Sequence, residues 1–155
     1  MPKHVYVLKA DLAGFSRVNR TIAVRSDQTL VDVHLALQAA FDWDDDHLYS
    51  FWLDGKFWSG GGDEYTHPWH ANEPNPLGAF WIGPVPQSAE ISLDRLGLSE
   101  NQRIAYIFDF GDEWRVRLTV RQIIADDGQP YPRLLKSAGD APPQYPDYEE
   151  TEDVA

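Results

Sequence analysis

Apolar and polar residues alternate along two stretches near the start of the chain. In residues 4–12, Tyr6, Leu8, Ala10 and Leu12 share one face, and in residues 20–25 Ile22 and Val24 do the same. A period of two predicts strands of a half-buried antiparallel sheet. Gly14, Ser16 and Asn19 supply the turn between them. The period then lengthens. Leu30, Val33, His34, Leu37, Ala40 and Phe41 recur at helical spacing, and Thr29 with Asp32 three residues on forms an N-terminal cap pattern. Trp43 and Asp44-Asp45-Asp46 end this helix. The helix dipole disfavours carboxylates after its C-terminus, so the acidic run is either solvated or held by a partner group.

Residues 48–53 and 56–58 form the next predicted pair of strands. Asp54-Gly55 between them is a two-residue hairpin signal, since both central positions need positive φ, and it sets Trp52 opposite Phe57. Residues 59–89 differ in kind. They hold five Gly and five Pro, show no sustained period, and carry Tyr65, Trp69, Phe80 and Trp81. Irregular stretches of that length are usually functional or mobile, but aromatic content argues against plain disorder. The expectation is a partly ordered excursion pinned by Trp69 or Trp81. A short helical turn capped by Ser92 follows at 91–98.

Residues 103–122 are the best-defined segment. Ile104, Tyr106, Phe108 and Phe110 line one face of a first strand. Trp114, Val116, Leu118 and Val120 line one face of a second, with Arg115, Arg117, Thr119 and Arg121 on its reverse. A two-residue turn would place Phe108 on the same face as Arg115, against both patterns. A three-residue turn, Gly111-Asp112-Glu113, pairs Phe110 with Trp114 and sets Asp109 opposite Arg115. The apolar faces then coincide. After residue 125 the chain is expected to be irregular, and residues 144–155 read as an exposed acidic tail. The fold class is therefore α+β: a single domain over residues 1–143, a mostly antiparallel sheet with one main helix on one face, and a long loop at 59–89.

Composition narrows the function classes. The 155 residues carry 13 Lys and Arg against 25 Asp and Glu, a formal charge of −12. Residues 140–155 hold Asp140, Asp147, Glu149, Glu150, Glu152 and Asp153 and no cation. Affinity for nucleic acid rests on neutralising phosphates with Lys and Arg, so the charge argues against that partner. There is no cysteine, which excludes disulfides, thiolate metal sites and cysteine nucleophiles. No run of about 18 apolar residues exists to span a membrane. Lys9 and Asp11 interrupt any apolar signal segment at the start, so the cytoplasm is the expected compartment.

The most suggestive polar set is Asp46, His47, Asp109, Asp112 and Glu113, beside Trp114. Carboxylates with an imidazole suit Mg²⁺, Mn²⁺ or Zn²⁺. The structural alternative is that Asp112 and Glu113 are turn residues, that Asp109 pairs with Arg115, and that His47 bonds the backbone. It is preferred, and no metal or cofactor is assigned. His67-Pro68-Trp69-His70 has ligand spacing near Asp63 and Glu64, but Pro68 argues against the helix that would align the two rings. His34 on the apolar stripe reads as a hydrogen-bonded core histidine. Ser16, Ser26, Ser50 and Ser99 lack a nucleophile-elbow context. Gly60-Gly61-Gly62 lacks the Lys-Ser/Thr of a phosphate loop. Trp43, Trp52 and Trp114 are expected in the core. Trp58, Trp69 and Trp81 border the loop, where aromatics with a polar edge suit contact surfaces.

Three stretches together resemble the plasmid pRiA4b open-reading-frame-three-like family. They are Thr29-Leu30 through Val33-His34 to Phe41-Asp42-Trp43-Asp44-Asp45-Asp46-His47-Leu48; Tyr106-Ile107-Phe108-Asp109-Phe110-Gly111-Asp112-Glu113-Trp114; and Tyr131-Pro132-Arg133 with Gly139 and Ala141-Pro142-Pro143. The resemblance covers about residues 4–58 and 92–143, with the long loop outside it. It implies one main helix on a mostly antiparallel sheet and no established activity. It also implies departures: Tyr49 and Val116 stand where relatives carry histidines, and Gln144-Tyr145-Pro146 replaces a Glu-Asp-Cys sequence. The expected function is a non-enzymatic binding or accessory module for a protein, peptide or small-molecule partner. The competing expectation is a metal-dependent enzyme using Asp46, His47, Asp109 and Asp112.

Overall fold

Eleven short elements follow one another in the computed structural model, which describes residues 3–59, 63–71 and 86–144. They are β1 (His4–Leu12), β2 (Asn19–Arg25), α1 (Leu30–Phe41), β3 (Tyr49–Trp52), β4 (Glu64–Thr66), α2 (Pro68–Ala71), β5 (Gln87–Ser88), a 3₁₀ turn (Leu93–Arg95), β6 (Arg103–Phe108), β7 (Trp114–Ala125) and β8 (Arg133–Ala138). The strands form one mixed sheet in the order β5-β4-β3-β6-β7-β1-β2-β8. Neighbours pair antiparallel except β4 with β5, which are parallel. The fold is thus mostly sheet with one long helix, and the α+β label describes it only loosely.

The alternating residues of β1 and β2 face one way, as their period requires. Tyr6, Leu8, Ala10, Leu12, Ile22 and Val24 join Leu30, Val33, Leu37 and Phe41 of α1 in the main core, with Ile104, Tyr106, Phe108, Val116, Leu118 and Val120 of the central hairpin. Helix α1 starts where the side chains predict. The Thr29 amide donates to Asp32 Oδ2 at 2.9 Å, and the Asp32 amide donates back to Thr29 Oγ1 at 3.3 Å. It stops at Asp42, in the left-handed region at φ 60°. A second, smaller cluster lies on the opposite side of the sheet: Trp52, Ala105 and Ile107, with Phe57 and Phe110 packed against it.

Several expectations are corrected. Residues 56–58 do not form a strand: β3 pairs with β4 (Phe51 opposite Tyr65) and with β6. After Asp54-Gly55 the chain folds over the outer sheet face instead, because Phe57 and Trp58 gain more by covering Trp52 than by continuing a ladder. Gly55 is required there twice. It adopts φ +76°, and a Cβ would stand 3.0 Å from the Arg103 carbonyl oxygen. The β6–β7 register is shifted by two residues: Phe108 faces Trp114 and Tyr106 faces Val116. The connection is odd in length, as the face argument demands, but runs from 109 to 113. Asp109 leaves the strand at φ 66° and its Oδ1 accepts the amides of Gly111 (3.0 Å) and Asp112 (3.3 Å), closing a local turn. Arg115 therefore lies opposite Ile107 rather than Asp109, and Phe110 crosses to the outer cluster.

The chain beyond residue 125 is not wholly irregular. β8 pairs with β2, and Gly139 ends it at φ +73°, its backbone packed against Arg17. Within 59–89, β4, α2 and β5 are formed. Pro68 opens α2, a position where its missing N–H costs nothing. Trp69 is 61% exposed, so among the described residues it is not buried as an anchor of this segment. Trp81 and Gly60-Gly61-Gly62 lie outside the described residues. The 3₁₀ turn begins after Ser92 without a side-chain cap bond. No helix among the described residues is long and apolar enough to cross a membrane.

Candidate functional site

The end of α1 brings two polar networks together. The first is buried. His34 Nδ1 lies 2.7 Å from Tyr106 Oη and its Nε2 lies 2.6 Å from Asp45 Oδ1, while Gln38 Nε2 donates to the same Tyr106 hydroxyl at 3.2 Å. One proton arrangement satisfies every atom: Nε2–H donates to Asp45, and the tyrosine hydroxyl donates to Nδ1. The Asp45 amide donates to Gln38 Oε1 at 2.8 Å, so the acidic run is held by the helix it terminates. The Tyr49 ring stacks on His34 at 3.6 Å. Burial pushes the His34 imidazole down to about 4 against the pull of Asp45, and burial raises the Tyr106 hydroxyl well above its ordinary value.

The second network is nearer the surface. His47 Nε2 sits 3.5 Å from Asp46 Oδ1 and 3.4 Å from Asp109 Oδ2. Asp109 is only 6% exposed, and its other oxygen is committed to the turn amides. Gln144 closes the set, donating to Asp46 Oδ1 at 2.9 Å and accepting the Asp44 amide at 2.7 Å. Gln144 is buried, which corrects its assignment to an exposed tail. Three of the residues expected together, Asp46, His47 and Asp109, do converge. Asp112 is exposed and contributes its backbone amide. Among the described residues, no group of three or more His, Asp or Glu side chains is placed to hold a metal ion.

Glu113 and Trp114 go elsewhere. Trp114 is half-buried against the main core, near Trp43 at 5.8 Å. Glu113 belongs to the outer face, where its Oε1 accepts from Trp58 Nε1 at 2.9 Å and from Arg115 Nη2 at 2.7 Å. Trp58 first and Arg115 second hold its carboxyl below the usual carboxylate range. This outer face is a continuous aromatic and cationic surface. Trp58 is 48% exposed and meets Trp52 at 5.2 Å and Phe110 at 5.4 Å. The guanidinium groups of Arg115 and Arg117 lie over Phe57 at 5.1 and 5.5 Å. The indole N–H of Trp52 is buried in this cluster without a hydrogen-bond partner. The alternation of Arg115, Arg117 and Thr119 signalled this face, but nothing in the sequence showed that Phe57 folds beneath the arginines.

His67 accepts the Trp69 amide at Nδ1 (3.0 Å) and meets the Tyr49 ring edge-on at 5.4 Å. The His70 side chain lies outside the described part of the structure. Ser50 is buried and donates to Glu64 at 2.8 Å. On the far side of α1, an apolar groove of about 280 Å³ runs between Leu35, Ala36 and Ala39 and the Pro132–Leu134 segment.

The profile of a family described as plasmid pRiA4b ORF-3-like protein matches residues 4–151, across the whole site and through the 59–89 segment. The chain belongs to this family. The proteins to which this pRiA4b ORF-3-like chain is similar carry no stated activity. The uncharacterized protein y4hQ of Sinorhizobium fredii is 24% identical over 127 residues, which is 82% of this chain and 58% of that one. This chain thus spans less than two thirds of that relative's length. The crystal structure of MM3350, a protein of unknown function from Methanosarcina mazei Go1, superposes with a TM-score of 0.72 at 28% identity, covering 99% of this chain and 82% of the other. Of the departures from the pRiA4b ORF-3-like pattern, Tyr145 and Pro146 lie outside the described residues, and the other three are placed in or beside the two networks. Tyr49 stacks on His34, Val116 is in the core, and Gln144 bridges Asp44 and Asp46.

Proposed function

We propose that this member of the pRiA4b ORF-3-like family is a non-enzymatic binding module whose contact surface is the outer sheet face around Trp58. The observation that carries this reading is a half-exposed tryptophan standing on buried Trp52, beside Phe57 under two guanidinium groups. Large apolar rings held at a surface, with arginine at their rim, are the composition of energetic hot spots at interfaces. The His47 network supports the same reading by contrast. Its carboxylates and imidazole are turned on one another and on Gln144, and the pairing holds segment 44–47 against the β6–β7 connection.

Selection of displayed random decapeptides against the full chain tests this. Peptides retained by the wild type and lost on Trp58→Ala, with thermal melting unchanged, are the expected result. Retained peptides indifferent to Trp58→Ala would remove the outer face from consideration. The reading as a metal-dependent enzyme is favoured by the convergence of Asp46 and Asp109 on one nitrogen of His47. It requires Mn²⁺ or Zn²⁺ to raise the melting temperature, since a ligand of the native state stabilises it. Asp109→Asn must abolish that rise.

A further inference from the structure

The outer face differs in charge from the molecule that carries it. Arg103, Lys9, Arg115 and Arg117 all project from it: Arg103 and Lys9 each lie opposite Thr119, and Arg117 lies opposite Ala105. Among the described residues its carboxylates include Asp11, which lies opposite Arg117 in the β1–β7 ladder, Glu64, Glu113 and, in the turn that carries Trp58, Asp54. Lys9 pairs with Asp11 at 3.7 Å and Arg115 with Glu113 at 2.7 Å. Among the described residues, Arg103 and Arg117 form no salt bridge, and both are exposed. On a chain of net charge −12, arginines without a salt bridge beside half-buried Phe57 and exposed Trp58 mark a local preference for anions.

A second observation concerns Trp52. A buried donor without an acceptor is costly in a native structure and is rarely left so without a reason. The ring that meets Trp52 edge-on is Trp58, which sits at φ 57°, a left-handed conformation that side-chain-bearing residues adopt only at a cost. Its turn is tied down by local bonds, from the Lys56 amide to Asp54 Oδ1 and from Ser59 Oγ to Asp54 Oδ2. Trp58 is thus held in a strained turn edge-on against a ring whose own donor lacks an acceptor, so a ligand that touches Trp58 acts beside that donor.

We infer that the outer face binds an extended acidic peptide segment in which carboxylates alternate with aromatic side chains. This inference rests on the binding-module reading and names its partner class. A carboxylate meets Arg117 in the paired geometry that guanidinium favours. An aromatic side chain packs beside Phe57 and Trp58, on rings that already lie together at this face. A peptide suits this face better than a polynucleotide. The cationic patch is small, and beyond a Debye length the acidic whole repels a long polyanion.

The test is fluorescence anisotropy on the full chain at about 50 mM and about 150 mM salt, a range over which exposed charge pairing weakens. The probe is a fluorescein-labelled decamer alternating glutamate and tyrosine. The comparison probes alternate serine with tyrosine and lysine with tyrosine, and a labelled decauridylate completes the set. The glutamate decamer is expected to bind tightest and to weaken with salt. Arg117→Glu is expected to weaken it about tenfold or more and Arg117→Gln less, since reversing a charge adds repulsion to lost attraction. Lys3→Glu, at the distant Asp27 pair, is expected to leave it within about twofold. The Trp52 indole N–H resonance is expected to shift on saturation.

Serine or lysine decamers that bind equally well, lost on Trp58→Ala but indifferent to Arg117→Glu, would overturn the acidic partner and keep the surface. Preference for decauridylate would overturn it in favour of nucleic acid. Failure of every decamer overturns the partner class and leaves the surface to be judged by the peptide selection.

Discussion

Replacing Tyr106 by Phe removes one oxygen from the middle of the core and leaves the ring in place. The hydroxyl is fully buried, donates to His34 Nδ1 at 2.7 Å and accepts from Gln38 Nε2 at 3.2 Å. Each bond contributes about 1 kcal/mol net, and leaving the two partners buried without one costs about 1–3 kcal/mol more. Tyr106→Phe should therefore destabilise by about 3–5 kcal/mol and lower the melting temperature by about 6–20 °C for a chain of this size. Urea denaturation measures it, with Tyr131→Phe as the reference. That hydroxyl donates to Asp127 at 2.7 Å but is exposed, so its loss should cost less than about 0.5 kcal/mol. A cycle pairing Tyr106→Phe with His34→Phe should return a coupling of about 1 kcal/mol or more. If Tyr106→Phe cost no more than Tyr131→Phe, the network would not be what joins α1 to β6.

Two further outcomes follow from the same physics. His34 stays neutral in the fold, with a value near 4, while the unfolded chain takes up its proton near 6.5. Stability should be complete above about pH 6.5 and fall by roughly 3 kcal/mol between there and pH 4; His34→Gln should flatten that part of the pH profile, and an unchanged profile would contradict the assignment. Gly139→Ala should cost at least about 2 kcal/mol, since the φ of +73° and a Cβ placed 2.3 Å from the Arg17 carbonyl oxygen both oppose it. Denaturant midpoints decide it, and a loss below about 0.5 kcal/mol would show that the β8 end relaxes freely.

What could be read from the sequence was what burial makes periodic. β1, β2 and α1 each pack one face, so alternation and the Thr29–Asp32 box located them. The parity of the β6–β7 connection followed from matching apolar faces, but its length did not, because Asp109 forms a side-chain turn that takes two more residues out of the ladder. β8 was missed for the opposite reason. Leu134 and Leu135 are both about half exposed, so the strand carries no burial pattern to detect. Asp54-Gly55 was a true turn signal, but tertiary gain over Trp52 overrode the strand that usually follows. In the site, His34 was recognised as a satisfied core histidine and Asp46, His47 and Asp109 as neighbours. Gln144 was missed because a lone glutamine near an acidic run has no local signature. Its role exists only once residues 44 and 46 are folded beside it.

The uneven burial of the strands sets an order of opening. β6 is buried from Ile104 to Phe108, with Ile104, Tyr106 and Phe108 in one cluster and Ala105 and Ile107 in the other, so its amides can meet solvent only when both layers come apart. β8, at the sheet's margin, is exposed along almost its whole length and can peel from β2 without disturbing either layer. Amide hydrogen exchange should therefore sweep inward from residues 133–138 and reach residues 104–108 last, the latter at the rate of whole-molecule unfolding.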